Sequence, residues 1–274
     1  MAKERVLITV KTYPTLSSKY DELVCTAGFR EDGTWVRIYP IPFRKLDYDS
    51  RYAKYQWIEL DLVKNTTDPR PESFRPFDYE KIIPGDIIFT GKDRLWIERK
   101  KYALANVYTD LSKLIAEAKD KKICTSLATF KPTEILDFKI EKVSRSWDSK
   151  KLANLGAKAK QINLFKNAEN PFEVVNKVPY KFSYRFKDEK GKESTLMIED
   201  WEICQLYWRV LKNHKGDELK ACNDVKKKYF DDFAKTKDLY LFLGTTRQFH
   251  FMAPNPFLII GTFHPKPEIQ GRLF

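Results

Sequence analysis

Hydrophobic and polar positions alternate in short runs through the first hundred residues. Val6 to Lys11 reads as a strand, and a polar loop through Pro14 and Ser18 follows it. Leu23–Phe29 and Thr34–Tyr39 flank Glu31, Asp32 and Gly33, and an Asp-Gly pair between two β-prone runs predicts a hairpin. In the second strand Val36 and Ile38 are expected to face a core, which puts Trp35, Arg37 and Tyr39 on the opposite face. Residues 55–63 alternate with Ile58, Leu60 and Leu62 inward, whereas the prolines of 69–76 predict an extended loop. A strand over 87–91 is expected to return through Leu95–Glu98 as a hairpin.

The period changes after Tyr102. Ala103, Val107, Leu111, Leu114, Ile115 and Ala118 share one helical face, predicting an amphipathic helix that crosses to a second unit. That unit is expected to hold a strand near 133–143, a basic helix near 149–161, and a strand over 180–187 closed by a turn at 188–192. Helices near 199–213 and 217–235 and strands at 239–243 and 257–261 complete it. Short strands in two groups, each with a helix, predict a β-rich α+β protein of two small partly open barrels, joined and flanked by helices. The division falls as an N-terminal barrel domain, 1–101, and an α+β domain, 102–274.

Composition excludes disorder and membrane spanning: 42% of the 274 residues are hydrophobic, and no apolar run approaches the ~20 residues a spanning helix needs. The N-terminus lacks the pattern of a signal peptide, so a cytoplasmic location is expected. Cys25, Cys124, Cys204 and Cys222 have no zinc-site spacing, and neither a metal nor another cofactor is assigned. The formal charge of +12 is concentrated between residues 139 and 166, which hold eight basic side chains against Glu141 and Asp148. Nucleic acid is therefore the expected partner, with Lys142, Arg145, Lys150, Lys151, Lys158 and Lys160 neutralising its backbone and Trp147 beside them. Trp35 and Tyr39 are candidate base-stacking platforms and Arg37 a candidate phosphate contact. In the alternative arrangement, the two rings pack beneath a loop and Arg37 pairs with an acid.

The hairpin supplies a resemblance as well. Cys25-Thr26-Ala27-Gly28, followed by Asp32-Gly33-Thr34-Trp35-Val36-Arg37 and then Pro40, resembles the opening of the dual OB-containing domain family of bacterial defence and mobile-element proteins. This chain departs from that family in placing Ile38 and Tyr39 between Arg37 and Pro40. The resemblance implies OB-like barrels and nucleic-acid association, and it adds Gly28 to Trp35 and Arg37 as candidate binding-strand residues.

Two other function classes are open. Asp86, Glu98 and Lys100 match a degenerate nuclease spacing in which two carboxylates would hold Mg²⁺ and a lysine would sit by the attacking water. A protein-interaction subunit whose basic face docks an acidic partner is the other. Gly244–His250 and Gly261–His264 each deliver Gly-Thr and a histidine at a strand end, an arrangement that suits either an anion site or structural turns. The cluster Glu199, Asp200 and Glu202 is explained by the dipole at a helix start.

Overall fold

The structure, a computed structural model, describes residues 3–17, 21–149, 152–153 and 174–268. Seven strands form the first sheet: β1 (Lys3–Lys11), β2 (Thr15–Ser17), β3 (Asp21–Phe29), β4 (Trp35–Ile41), β5 (Gln56–Lys64), β6 (Ser73–Pro76) and β7 (Ile83–Ile87). Five of them close a barrel in the order β1-β3-β4-β6-β5 and back to β1. The β4–β6 pairing is parallel and the others are antiparallel, giving an OB-like barrel. Val6, Ile8, Val36, Ile38, Ile58, Leu60 and Leu62 fill its interior. The alternation of β4 and β5 is therefore as expected, because one face of each strand must leave water when the barrel closes. Residues 73–76, expected as loop, supply the closing strand. Its parallel pairing with β4 covers two residue pairs, and Pro76 stands at the strand's end, where the missing donor costs little.

Outside the barrel, Leu7, Phe29 and Trp57 face a second apolar layer. It is shared with Trp96 and Ala103 of the connecting segment and with Leu127, Phe242, Ile260 and Phe263 of the C-terminal half. A barrel that is apolar on both faces of β1 cannot stand in water alone, and the C-terminal half covers it. Leu95–Glu98 is not a strand: Trp96 caps α1 (Ile97–Ala103) in a left-handed conformation. The long helix expected over 103–119 is divided into β8 (Val107–Tyr108) and α2 (Leu111–Lys119). Asp110 makes the break, its side chain accepting from the backbone N–H of Ser112 and Lys113 at 2.8 and 3.1 Å.

Among the described residues the C-terminal half is two sheets that do not close and a helical layer, and the second barrel expected is not shown. With β9 (Leu127–Phe130), β13 (Tyr240–Thr245) and β14 (Phe257–Phe263), β8 forms a four-stranded sheet ordered β14-β13-β9-β8. A three-stranded sheet joins β10 (Glu134–Lys142), β11 (Tyr180–Lys187) and β12 (Glu193–Met197). Helix α3 (Trp201–Asn213) and α4 (Glu218–Lys226), which runs on into a π-helical segment at Lys227–Ala234, pack on it. Phe138, Phe182, Tyr184, Tyr207 and Tyr229 meet at that contact, with the Tyr184 hydroxyl donating to the Tyr229 carbonyl at 2.6 Å. Among the described residues no helix is long and apolar enough to cross a membrane.

Two glycines carry the barrel geometry. Gly33, at φ 80°, makes the β3–β4 turn, and Gly28 lets β3 lie against β1 so closely that a Cβ there would fall 2.1 Å from the Leu7 carbonyl oxygen. Gly28→Ala is expected to lower stability by at least the ~1–3 kcal/mol typical of overpacking, because the obstacle is backbone. A thermal melt matching that of the wild type would show that the β1–β3 pair can separate without loss.

Candidate functional site

The outer row of β4 meets the C-terminal half. Trp35 lies 4.0 Å from the Phe29 ring and 5.2 Å, edge-on, from Phe242, so it is part of the packing between the halves. Arg37 is 3% exposed and its donors are engaged inside the protein. Its Nη1 donates to Ser73 Oγ at 3.1 Å and to Ser126 Oγ at 2.8 Å, and its Nη2 to the carbonyls of Ser126 at 3.0 Å and Thr245 at 3.3 Å. Arg70, on the loop between β5 and β6, is also buried: its Nε donates to Asp68 Oδ1 at 2.8 Å and its Nη1 to the same Thr245 carbonyl. Glu72 accepts from the backbone N–H and the hydroxyl of Ser126 at 3.0 and 2.8 Å. Burial, and then the neighbouring Arg70 charge, lower the pKa of Arg37, with Glu72 and Asp68 acting in the opposite sense.

Behind Thr245 a thiol and an imidazole are in contact. His250 Nε2 is 3.2 Å from Cys124 Sγ, and its Nδ1 is 2.8 Å from Thr245 Oγ1. Both residues are buried, at 3% and 1% exposure. Burial, aided by the charges of Arg70 and Arg37, lowers the His250 pKa, and burial pushes the Cys124 thiol up, so the pair is neutral. A neutral, enclosed thiol is a packing group and not a nucleophile.

Where the outer row of β4 emerges from this seam it lines a pocket of about 290 Å³. Cys25 of β3, Arg37 and Tyr39 of β4, Thr12 and Thr15 between β1 and β3, and Arg70 between β5 and β6 supply the barrel side. Thr246, Arg247 and Ile260 are among the residues on the other side. Arg247 is exposed, with Nη1 3.4 Å from Thr67 Oγ1, and Tyr39 is 38% exposed. The three arginines and one carboxyl, Glu199, whose pKa is raised by burial, line the pocket, with Asp68 paired to Arg70 behind it, so that Arg247 is the cation at its exposed side. Thr246 Oγ1 is buried here without a hydrogen-bond partner among the described residues. The pocket presents positive charge, hydroxyl groups and one aromatic ring.

The other residues proposed from sequence are dispersed. Gly28 belongs to the barrel wall and exposes no binding surface. Arg37 is not the solvent-facing cation expected, because the C-terminal half covers its strand. Lys142 is exposed at the end of β10, and Arg145 is held by Glu218, with Nη2 2.8 Å from Oε2. Trp147 donates from Nε1 to the Val175 carbonyl at 2.7 Å. Lys150, Lys151, Lys158 and Lys160 lie outside the described residues. Glu98 and Lys100 stand on a helix, where a strand was expected, and each is paired, with Lys101 and Glu268 respectively. Asp86 is on exposed β7. Among the described residues no group of three histidine, cysteine or acidic side chains is arranged to hold a metal.

Against known proteins, a family model described as Domain of unknown function (DUF8757) matches residues 107–274. The chain belongs to this family. A second model, Domain of unknown function (DUF8758), matches residues 2–105. No curated protein matches the chain. Among solved structures, "Structure of murine DNA binding protein bound with ds DNA" aligns over 98% of this chain and 98% of its own at 10% identity, with a TM-score of 0.31. A likeness of that degree does not bear on function.

The loop that carries Arg70 into the seam makes stability depend on acid. Asp68 is nearly buried, and although burial opposes its charge, the hydrogen bonds and charge of Arg70 hold its pKa down at about 2. A carboxyl depressed in the folded state stabilises it above the ordinary aspartate value and loses that contribution as pH falls through the folded value. Denaturant melts between pH 5 and pH 2 are expected to show a loss about 2 kcal/mol larger in the wild type than in Asp68→Asn. Asp68→Asn should be less stable at neutral pH. Parallel pH profiles for the two proteins would refute the assignment.

Proposed function

We propose that the protein binds single-stranded nucleic acid on the β3–β4 face of its barrel, with one nucleotide entering the 290 Å³ pocket. One observation carries this reading: Arg37, Arg70, Arg247 and the exposed ring of Tyr39 converge where the middle strands and their flanking loops leave a concavity. OB-like barrels present oligonucleotides and oligosaccharides to that region. The unpartnered Thr246 hydroxyl supplies a hydrogen-bonding group for the entering unit. Arg247 contacts phosphate, Tyr39 stacks on a base, and the buried arginines provide the field that draws the chain in. A single strand is favoured over a duplex because the concavity admits a splayed nucleotide and not a stacked pair. The strands that resemble the dual OB-containing domain family lie on this face, and its nucleic-acid association enters as part of the same proposal.

Fluorescence anisotropy with single- and double-stranded oligonucleotides of one sequence tests this. Single strands are expected to bind more tightly. Tyr39→Ala should cost about 1–3 kcal/mol of that affinity. Arg247→Ala should reduce the slope of log affinity against log salt by about 0.7. Lack of binding to either form, or wild-type affinity and salt slope in both variants, would overturn the proposal.

A further inference from the structure

A second and larger cavity, about 720 Å³, opens along the same seam and shares no lining residue with the first. The outward face of β14 runs between them: Leu258 and Ile260 line the small pocket, and Thr262 and, just beyond the strand, His264 line the large one. One wall is the polar face of α3, where Glu202, Gln205, Leu206 and Arg209 recur at helical spacing, while Ile203, Tyr207 and Val210 face the core. Tyr55, ahead of β5, and Trp96 and Arg99, at the start of α1, come from the barrel side.

Three residues that line this cavity carry unsatisfied polar atoms. Tyr55 Oη, Thr262 Oγ1 and His264 Nδ1 are buried without a hydrogen-bond partner among the described residues, and Tyr55 and Thr262 are only 6% and 2% exposed. Buried polar groups are nearly always answered, so three unanswered ones on one cavity mark a place for a ligand's polar edge. The backbone is strained at the same place: Tyr55 and Trp96 have φ of 61° and 59°, the left-handed region that side chains with a Cβ avoid. The π-helical segment Lys227–Ala234 turns Lys228, Tyr229 and Phe233 into the cavity, and such segments concentrate at functional sites.

The charged groups indicate the class of ligand. Lys54 is committed to Asp200 and Glu202, at 3.2 and 2.9 Å. That leaves Arg99 and Arg209 without a carboxylate partner among the described residues, and beside them is Lys228, which pairs with Asp232 at 2.7 Å. The Arg99 guanidinium lies 3.7 Å over the Tyr55 ring, and Arg209 is exposed with no ion pair among the described residues. The flat surfaces are aromatic, with His264 stacked on Phe233 at 3.6 Å and edge-on to Trp96 at 4.9 Å. Burial lowers the His264 pKa to about 3, so its ring is neutral and suits an uncharged hydrogen-bonding edge.

We propose that this cavity binds a nucleoside monophosphate, its phosphate toward Arg99, Arg209 and Lys228 and its base edge toward Tyr55, Thr262 and His264. The volume lies in the range of small-ligand sites. The site is independent of the single-strand surface and stands or falls separately from it.

Thermal-shift and calorimetric titrations of the full chain with the four common nucleoside monophosphates, adenosine, ribose 5-phosphate and inorganic phosphate test this. At least one monophosphate is expected to bind at one site and raise Tm, at least tenfold more tightly than any of the three fragments. Thr262→Val keeps the shape and removes the unanswered hydroxyl, so it should weaken binding about tenfold while leaving the Tm of the ligand-free protein unchanged or higher. Arg209→Glu, an exposed change, should weaken it at least as much, and Arg247→Ala should have no effect. Absence of binding by every monophosphate would overturn the proposal, as would wild-type affinity in Thr262→Val and Arg209→Glu. Ribose 5-phosphate binding as tightly as the nucleotides would overturn the assignment of the base edge.

Discussion

Two guanidinium groups share one carbonyl oxygen. Arg37 reaches Thr245 from the barrel wall and Arg70 reaches it from the loop between β5 and β6, so the barrel is joined to β13 through a single acceptor with two lone pairs. Two cations so close in a water-poor seam repel. The arrangement holds because Asp68 and Glu72 are in the same network and because Ser73 and Ser126 take up further donors. Removing one partner from such a group leaves an uncompensated buried charge, at a cost of about 3–5 kcal/mol. Apolar area alone would let the two halves slide against each other, whereas these bonds allow one placement.

That placement decides what the barrel can do. Its middle strands would form an open ligand face if the barrel stood alone; here Trp35 is packed on Phe242 and Arg37 is covered, while Tyr39, nearer the strand's end, stays exposed. The face is thereby reduced from a groove to a pocket, and the arginines that fix the seam also set the sign of the field inside it. In the function we propose, binding and assembly draw on the same charges. A change at Arg37 cannot be read as a binding effect unless the fold is measured as well.

The alternation of Val36 and Ile38 against Trp35, Arg37 and Tyr39 was legible from sequence, as were the Asp-Gly turn, the hairpin at 180–187 and helix α3. Each is a local pattern with a local cause. What covers the outer row of β4 was not legible, because the covering strand is some two hundred residues away and alternates like any other. β6 was hidden because its role in closing the barrel rests on two residue pairs and its prolines suggest a loop. The acids at 199–202 were explained by the helix start, and Asp200 does cap α3, but Lys54, which pairs with it from 146 residues earlier, had no local signature. The second barrel expected is not seen, for a related reason: short alternating strands do not say whether a sheet closes, and among the described residues β9, β13 and β14 pair without closing.

The seam treats its polar groups in two ways. Around Thr245 the guanidiniums, carboxylates, serines and even the histidine have partners, and the Thr246 hydroxyl is the exception; satisfied groups of this kind hold a structure in one arrangement. Around His264, beyond the end of the neighbouring strand β14, a phenol, a hydroxyl and an imidazole nitrogen have none among the described residues. Two left-handed residues and a π-helical segment adjoin them. A contact that served only to join two halves would gain by replacing Thr262 with valine and relaxing Tyr55. The unanswered groups beside strained backbone are the observations on which the proposed nucleotide site rests, whereas the answered groups around Thr245 account for the joining of the two halves.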